Sequence, residues 1–358
     1  MKKLFLSVLF FIFFFYVSAY ENSAITKKIL GAFTDGSPKA LFKVWHFLYE
    51  RTYTFDSEEA RNRYAIFKAK LKLIKEHNAK NLSYKLGLNQ FSDMDITEFK
   101  EKMCTKQVLQ GDELDKFISE TQSESFKFLE DDDDDLTKRN LGYNPIDYKQ
   151  FFGEARNQGN CGGCWAFSTL AAIEGVIGKS RNQAGRFLST QQLIDCDKSN
   201  RGCNGGVFGN AFNYIVKNGV EFDSDYGYIA KRQICKYNKS LALSKIKGFK
   251  YCSNYSSRSK CSVDIVYNML RLGPLSVGID AGTDDFGSYE SGILDTKCSN
   301  DNHAVVLTGY GIENGREYWI IRNSWSSGWG ENGYVRVARN DSNKNSCFVN
   351  NEAWLPLI

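Results

Sequence analysis

Nine of the ten cysteines lie beyond residue 140: Cys161, Cys164, Cys196, Cys203, Cys235, Cys252, Cys261, Cys298 and Cys347. Cys104 alone precedes them. Lys2 and Lys3 lead into an apolar run from Leu4 to Val17, closed by Ser18-Ala19. That is the pattern of a secretory signal peptide cut near Ala19, and it sends the chain to a compartment where disulfides persist. An odd number of cysteines there resolves into four disulfides and one free thiol. The back half must then fold as a stapled globule that keeps one sulfur apart for chemistry. Zinc is the rival use of Cys161-x-x-Cys164, but no second well-spaced pair accompanies it.

Cys164 is the sulfur best placed for chemistry. It stands where the loop Gln158-Gly-Asn-Cys-Gly-Gly-Cys164 turns into a helix marked by Phe167, Leu170, Ala171, Glu174 and Ile177. The positive end of the helix macrodipole favours thiolate over thiol, and the thiolate is the nucleophile. Such a nucleophile needs a base, and histidine is the usual one. Of His46, His77 and His303, only His303 lies in the back half, at the start of an expected strand. Asn323, which ends the next expected strand, would orient the imidazole without adding a buried charge. Trp325 would shield that bond from water. Gln158 and the Cys164 backbone N–H are placed as oxyanion donors.

The front half reads differently. Residues 37–100 are expected to be helical, with Leu41, Phe42, Trp45, Leu48 and Tyr49 on one face. From Lys102 to Arg139 apolar residues thin out, and Asp131 to Asp135 form an acidic run before Lys138-Arg139. This reads as a solvated linker in which a protease would cut. Ser189 and Gln192 predict a capping box opening a short helix to Cys196. Helices are expected at 209–218 and 263–272, the latter stopped by Gly273-Pro274. Strands are expected at 275–279, 303–310, 317–322 and 334–338. Helices first and antiparallel strands second make an α+β, two-lobed layout. The net charge of +4 gives no reason to expect nucleic acid. No segment after the signal is apolar enough to span a membrane. Asn81, Asn238, Asn254 and Asn340 each head a glycosylation sequon.

Taken together, Cys161-Gly-Gly-Cys164-Trp165, Gly202-Cys-Asn-Gly-Gly206, Asn302-His303-Ala-Val305 and Asn323-Ser-Trp325 closely resemble the papain/cathepsin L family of cysteine proteases. Gly163 stands where that family has Ser or Ala, and Ser326 replaces a usual glycine, with little effect expected. In the front half Glu59, Arg63, Phe67, Ile74 and Asn78 resemble the family's propeptide helix motif, with Lys70 in place of Asn. Gly87, Asn89, Phe91 and Asp93 resemble its second motif. The resemblance covers residues 40–100 and 145–355 and leaves 104–139 unmatched.

The resemblance implies a papain-like fold, a helical lobe plus an antiparallel β-barrel-like lobe, behind a helical propeptide. The expected division is signal peptide 1–19, inhibitory propeptide 20–139 and mature peptidase 140–358. It implies a monomeric cysteine endopeptidase made as a zymogen, needing neither cofactor nor metal, whose propeptide runs backwards through the cleft until acid releases it. Its substrates would be proteins and peptides, and its place the lysosome, an acidic vacuole or the exterior. Implied disulfides are Cys161–Cys203, Cys196–Cys235 and Cys298–Cys347, leaving Cys252–Cys261 as an extra local pair. The cleft and its pocket for the second residue before the scissile bond would be lined by Gly205, Gly206, Val207, Phe208, Gly278, Asp301, Ala304 and Glu352. The two acids there predict tolerance of Arg or Lys beside apolar side chains. An aminopeptidase of the same fold, or a silent binding homologue, is the alternative. A dipeptide-releasing type is disfavoured because no histidine falls between Cys203 and Cys235.

Overall fold

Two serines start the front half. The Ser37 hydroxyl accepts from the Ala40 N–H at the head of α1 (Pro38–Leu48), and Pro38 sits in the first turn, where its missing N–H leaves no bond unmade. Ser57 caps α2 (Glu58–Asn78) in the same way, at 3.0 Å from the Ala60 N–H. The two helices bury Leu41, Phe42 and Trp45 against Phe67 and Leu71. Each such side chain contributes roughly 1.5–3 kcal/mol on leaving water. Arg63 forks onto the Glu98 carboxylate of α3 (Ile96–Met103), and the Asn78 amide brackets the Leu86 backbone. The chain is represented by a computed structural model that describes residues 37–103, 105–121, 143–242, 246–256, 261–339 and 347–358. The signal segment, Cys104, the acidic run, Lys138-Arg139 and Asn340 lie outside the described residues.

Behind this unit stand two lobes. One is helical: α5 (Cys164–Arg181), α6 (Thr190–Cys196) and α7 (Phe208–Asn218) enclose Trp165, Leu170, Leu193 and Phe212. The other is a sheet. Its strands are β1 (Tyr84–Leu86), β2 (Ile146–Asp147), β3 (Gly248–Ser253), β4 (Leu275–Ile279), β5 (Tyr289–Leu294), β6 (His303–Glu313), β7 (Arg316–Arg322), β8 (Tyr334–Ala338) and β9 (Glu352–Leu357). They run in the order β1-β5-β8-β7-β6-β4-β9-β3, with β2 on the side of β6. All pairs are antiparallel except β5 with β8. β1 comes from the front half, so the N-terminal unit adds an edge strand to the sheet of the back half. Helix α8 (Val263–Leu272) packs against the sheet, and Gly273 ends it.

Three details depart from the sequence reading. Ser189 does cap α6, accepting from Gln192 N–H at 3.0 Å, but the capping box is only half made. The Gln192 side chain turns away to the Glu221 N–H and the Gly219 carbonyl, pinning a neighbouring loop instead. The second departure is larger. Residues 105–121 are not a solvated linker: they cross the back half and form α4 (Gly111–Thr121), with Leu114 only 2% exposed. Third, Ser326 sits at φ 63°, a left-handed conformation that costs a non-glycine residue about 1–2 kcal/mol, so the exchange for glycine is not neutral.

Candidate active site

Cys164 is the first residue of α5, and Gly163 before it offers no side chain to cap the helix. The Gly163 and Ala166 N–H groups bond back to the Cys161 and Gly163 carbonyls, and it is the Trp165 N–H that favours an anion at Cys164. A Cβ at Gly163 would stand 3.0 Å from Ile194 Cδ1, so a side chain there needs the isoleucine to give by a few tenths of an ångström. Cys161 is bonded to Cys203 and holds the loop before the helix. Cys196–Cys235, Cys252–Cys261 and Cys298–Cys347 are the other disulfides, and Cys164 is the free cysteine among the described residues.

His303 opens β6, and the β6–β7 hairpin returns Asn323 beside it. His303 Nε2 lies 2.9 Å from Asn323 Oδ1. The Ser324 N–H also donates to that oxygen, at 2.8 Å, so Oδ1 is an acceptor and Nε2 carries the proton. Nδ1, the nitrogen left to act as base, has no well-formed hydrogen bond, although the Met103 backbone of the front half lies close enough to favour a proton on the ring. Trp325 lies over the pair, its ring centroid 4.7 Å from that of His303. Gln158 is fully buried: its Oε1 accepts from Ser324 Oγ at 2.7 Å, which turns Nε2 toward the Cys161 carbonyl beside the helix start.

The front half closes this site. Phe91 and Phe99 pack edge-on against Trp325, Gln90 donates to the Trp325 carbonyl, and Asn89 donates to that of Gly287. Lys70, which departs from its motif, pairs with Asp284. Thr105 Oγ1 lies 3.8 Å from Cys164 Sγ. Lys106 pairs in parallel with Gly206, and its own N–H donates to the Asn302 carbonyl. Gly205, at φ 102°, has no room for a side chain: a Cβ there would fall 2.1 Å from the Thr105 carbonyl. Under this cover burial pushes the Cys164 thiol up and the His303 imidazole down to about 4. The neutral pair is thus favoured in the closed form, reversing the thiolate expectation drawn from the helix dipole alone.

The pocket expected to take the second residue before the scissile bond is also filled. The Lys106 side chain is 1% exposed, with Nζ 2.8 Å from Asp301 Oδ1 and in contact with Glu352 Oε1. Phe208 lies beneath the ammonium at 5.6 Å. Burial opposes the Lys106 charge, but the Asp301 and Glu352 carboxylates overcome it and hold the ammonium above its ordinary range. Burial outweighs Lys106 at Asp301, whose carboxyl is pushed up to about 6. Tyr255 donates to Asp301 Oδ2 at 3.0 Å and Trp354 to Glu352 Oε2 at 3.0 Å. A Cβ on Gly278 would strike the Asp301 carboxylate. Val207 and Ala304 are buried in the surrounding wall. Lys106, Tyr255 and Trp354 escaped the sequence reading. An isolated lysine in a polar stretch carries no mark of burial, and nothing local ties either aromatic to an acid.

Comparison with known proteins bears on the whole chain. The model of the papain family cysteine proteases matches residues 144–357, and that of the cathepsin propeptide inhibitor domain (I29) matches residues 42–99. A cathepsin L-like proteinase of Fasciola hepatica is 36% identical over 334 residues, covering 90% of this chain and 94% of that protein. Among solved structures, digestive procathepsin L 3 of Tenebrio molitor larval midgut superposes with a TM-score of 0.76 at 31% identity, over 90% of this chain and all of that one. A recombinant stem bromelain precursor gives 0.75 at 31%, over 90% and 99%.

Proposed function

We infer the reaction from one premise: this chain belongs to the papain family of cysteine proteases and carries an I29 inhibitor domain in the same polypeptide. It is a cysteine endopeptidase made as a zymogen, restrained by its own propeptide. The assignment of roles rests chiefly on the His303–Asn323 bond, which leaves Nδ1 as the free base. Once the propeptide leaves, water returns to the cleft, and the desolvation that holds Cys164 and His303 neutral is lifted. His303 Nδ1 then takes the Cys164 proton, and the sulfur attacks the scissile carbonyl carbon. Gln158 Nε2 and the Cys164 N–H hold the oxyanion. Collapse breaks the C–N bond, and His303 returns its proton to the departing amine. Water then adds to the thioester, giving its proton to His303; the new carboxylate leaves and Cys164 is restored. Asn323 keeps the ring in this tautomer throughout.

Substrates with Lys or Arg at the second residue before the scissile bond are accepted beside those with apolar side chains, a reading supported by the Lys106 ammonium that Asp301 and Glu352 already hold. The four disulfides support passage through the secretory pathway, ending in a lysosome, an acidic vacuole or outside the cell. Among the described residues no helix is long and apolar enough to cross a membrane. Asn81 and Asn238 are exposed and take glycan; the Asn254 amide is bound to Asn350 and Cys261 and does not. The enzyme works as a monomer. Acidifying the purified zymogen, sequencing the new N-terminus and assaying an unstructured protein substrate test this reading. Wild type should convert and cleave, while Cys164→Ala should do neither; a Cys164→Ala protein that still digests substrate would sink it.

A further inference from the structure

One disulfide, Cys252–Cys261, lies outside the three that the family resemblance implies, and no step of the proposed reaction involves it. It staples the turn that leaves the end of β3. Cys252 and Ser253 pair across to Ala353 and Glu352 of β9, so this turn starts directly beside one acid of the pocket. Asn254 fastens it further. Its N–H donates to the Asn351 carbonyl at 2.7 Å and its side-chain amide to the Asn350 carbonyl at 3.2 Å, while its Oδ1 accepts from the Cys261 N–H at 2.9 Å. The Tyr255 N–H donates to Ser253 Oγ at 3.2 Å. A turn held at so many points presents the Tyr255 side chain in one position.

That side chain reaches the other acid of the pocket. The Tyr255 hydroxyl donates to Asp301 Oδ2 at 3.0 Å and accepts from Asn351 Nδ2 at 3.3 Å. Asp301 lies against Gly278, where a Cβ would strike its carboxylate, so the carboxylate is bounded on that side as well. The charged and titratable groups facing Asp301 are Lys106 from the front half, Glu352 from β9 and Tyr255 from the turn. Once Lys106 leaves with the propeptide, burial and the Glu352 charge both favour the neutral acid at Asp301. The Tyr255 hydroxyl opposes them, because a donor to a carboxylate stabilises its ionised form.

We propose that Tyr255 is a positioning residue for specificity: on a turn clamped by the Cys252–Cys261 staple, its hydroxyl orients the Asp301 carboxylate and keeps it anionic for a basic side chain at the second residue before the scissile bond. This deepens the reading that the pocket accepts Lys and Arg, and rests on it. Apolar side chains at the same position draw nothing from the Tyr255 hydroxyl.

The test compares mature wild type with mature Tyr255→Phe, which loses one oxygen and keeps the ring. Peptides that differ only in Lys or Leu at that position are assayed between about pH 4 and about pH 8. In wild type the Lys-to-Leu ratio of kcat/KM should rise with pH as Asp301 ionises. In Tyr255→Phe the rise should move up by about one pH unit, lowering the ratio about five- to tenfold on its acid side and little above it, with the Leu peptide changed by no more than about twofold. In an Asp301→Asn background, adding Tyr255→Phe should leave the ratio within about twofold. A ratio and pH profile unchanged in Tyr255→Phe, or an equal fall in the Asp301→Asn background, would overturn the proposal. Wild type that cleaves the Leu peptide and not the Lys peptide would instead overturn the basic-residue reading beneath it, and the Tyr255 role with it.

Discussion

Glu352→Gln is the sharpest perturbation of specificity, because it changes charge and little else. Glutamine keeps the side-chain length and retains an oxygen for the Trp354 N–H, now 3.0 Å from Oε2. What it removes is one of two carboxylates around a buried ammonium site. Two unit charges 4 Å apart interact by about 4 kcal/mol at an effective dielectric of 20. A substrate ammonium gives part of that back on leaving water, and a hydrogen bond to a charged group nets about 1.5–3 kcal/mol. The expected loss in kcat/KM for a Lys substrate is therefore about 10- to 150-fold. Paired peptides that differ only in Lys or Leu at the second residue before the scissile bond provide the assay. The Leu peptide should change by no more than about twofold, since its side chain draws on area rather than charge. An unchanged Lys-to-Leu ratio would refute the reasoning, because Asp301 alone would then be carrying the cation.

Four further outcomes are expected. Gln158→Ala should lower kcat by about 10²–10³ in the activated enzyme, as for loss of one oxyanion donor, with the circular dichroism spectrum unchanged. Ser326→Gly should raise the unfolding free energy by about 1 kcal/mol through relief of its left-handed backbone, read from denaturant titration of the mature enzyme. Replacing Cys161 and Cys203 together by Ser opens a 42-residue separation and should cost about 4 kcal/mol in the same titration. Glu98 provides the pH test. Burial alone would raise its carboxyl, but Arg63 and Lys102 outweigh this and hold it below its ordinary range. A depressed value stabilises fully above the unfolded value of about 4.3 and is lost as pH falls through the folded one. Zymogen melting temperature should drop on acidification below about pH 4, and Glu98→Gln should start lower at neutral pH and fall less steeply there.

What was legible in the sequence follows what each feature demands of it. Cys164, His303 and Asn323 stood out because the chemistry requires those residue types and alternatives were few. The strands at 275–279 and 334–338 and the helix at 263–272 stood out because local pattern and terminators agree. Reading failed where partners lie far apart along the chain. Gln192 promised a local box but found better acceptors and donors at Gly219 and Glu221. Lys106 sits in a polar stretch, and only Asp301 and Glu352, about 195 and 246 residues later, make its burial tolerable. Leu114, Phe117 and Ile118 are the few apolar residues of an acidic, polar segment, and nothing local says what they would dock on until the shelf formed by Trp354 is in view. The helix dipole pointed to a thiolate at Cys164, and the cover laid over it reversed the balance.

The most direct measurement maps where a peptidyl electrophile attaches before and after acid activation. The mature enzyme should gain one adduct by intact mass, located to Cys164 by peptide sequencing, and the zymogen at neutral pH should gain none. An adduct at any other residue, or equal labelling of Cys164 in zymogen and mature enzyme, would contradict the account of a covered nucleophile freed by removal of its own propeptide.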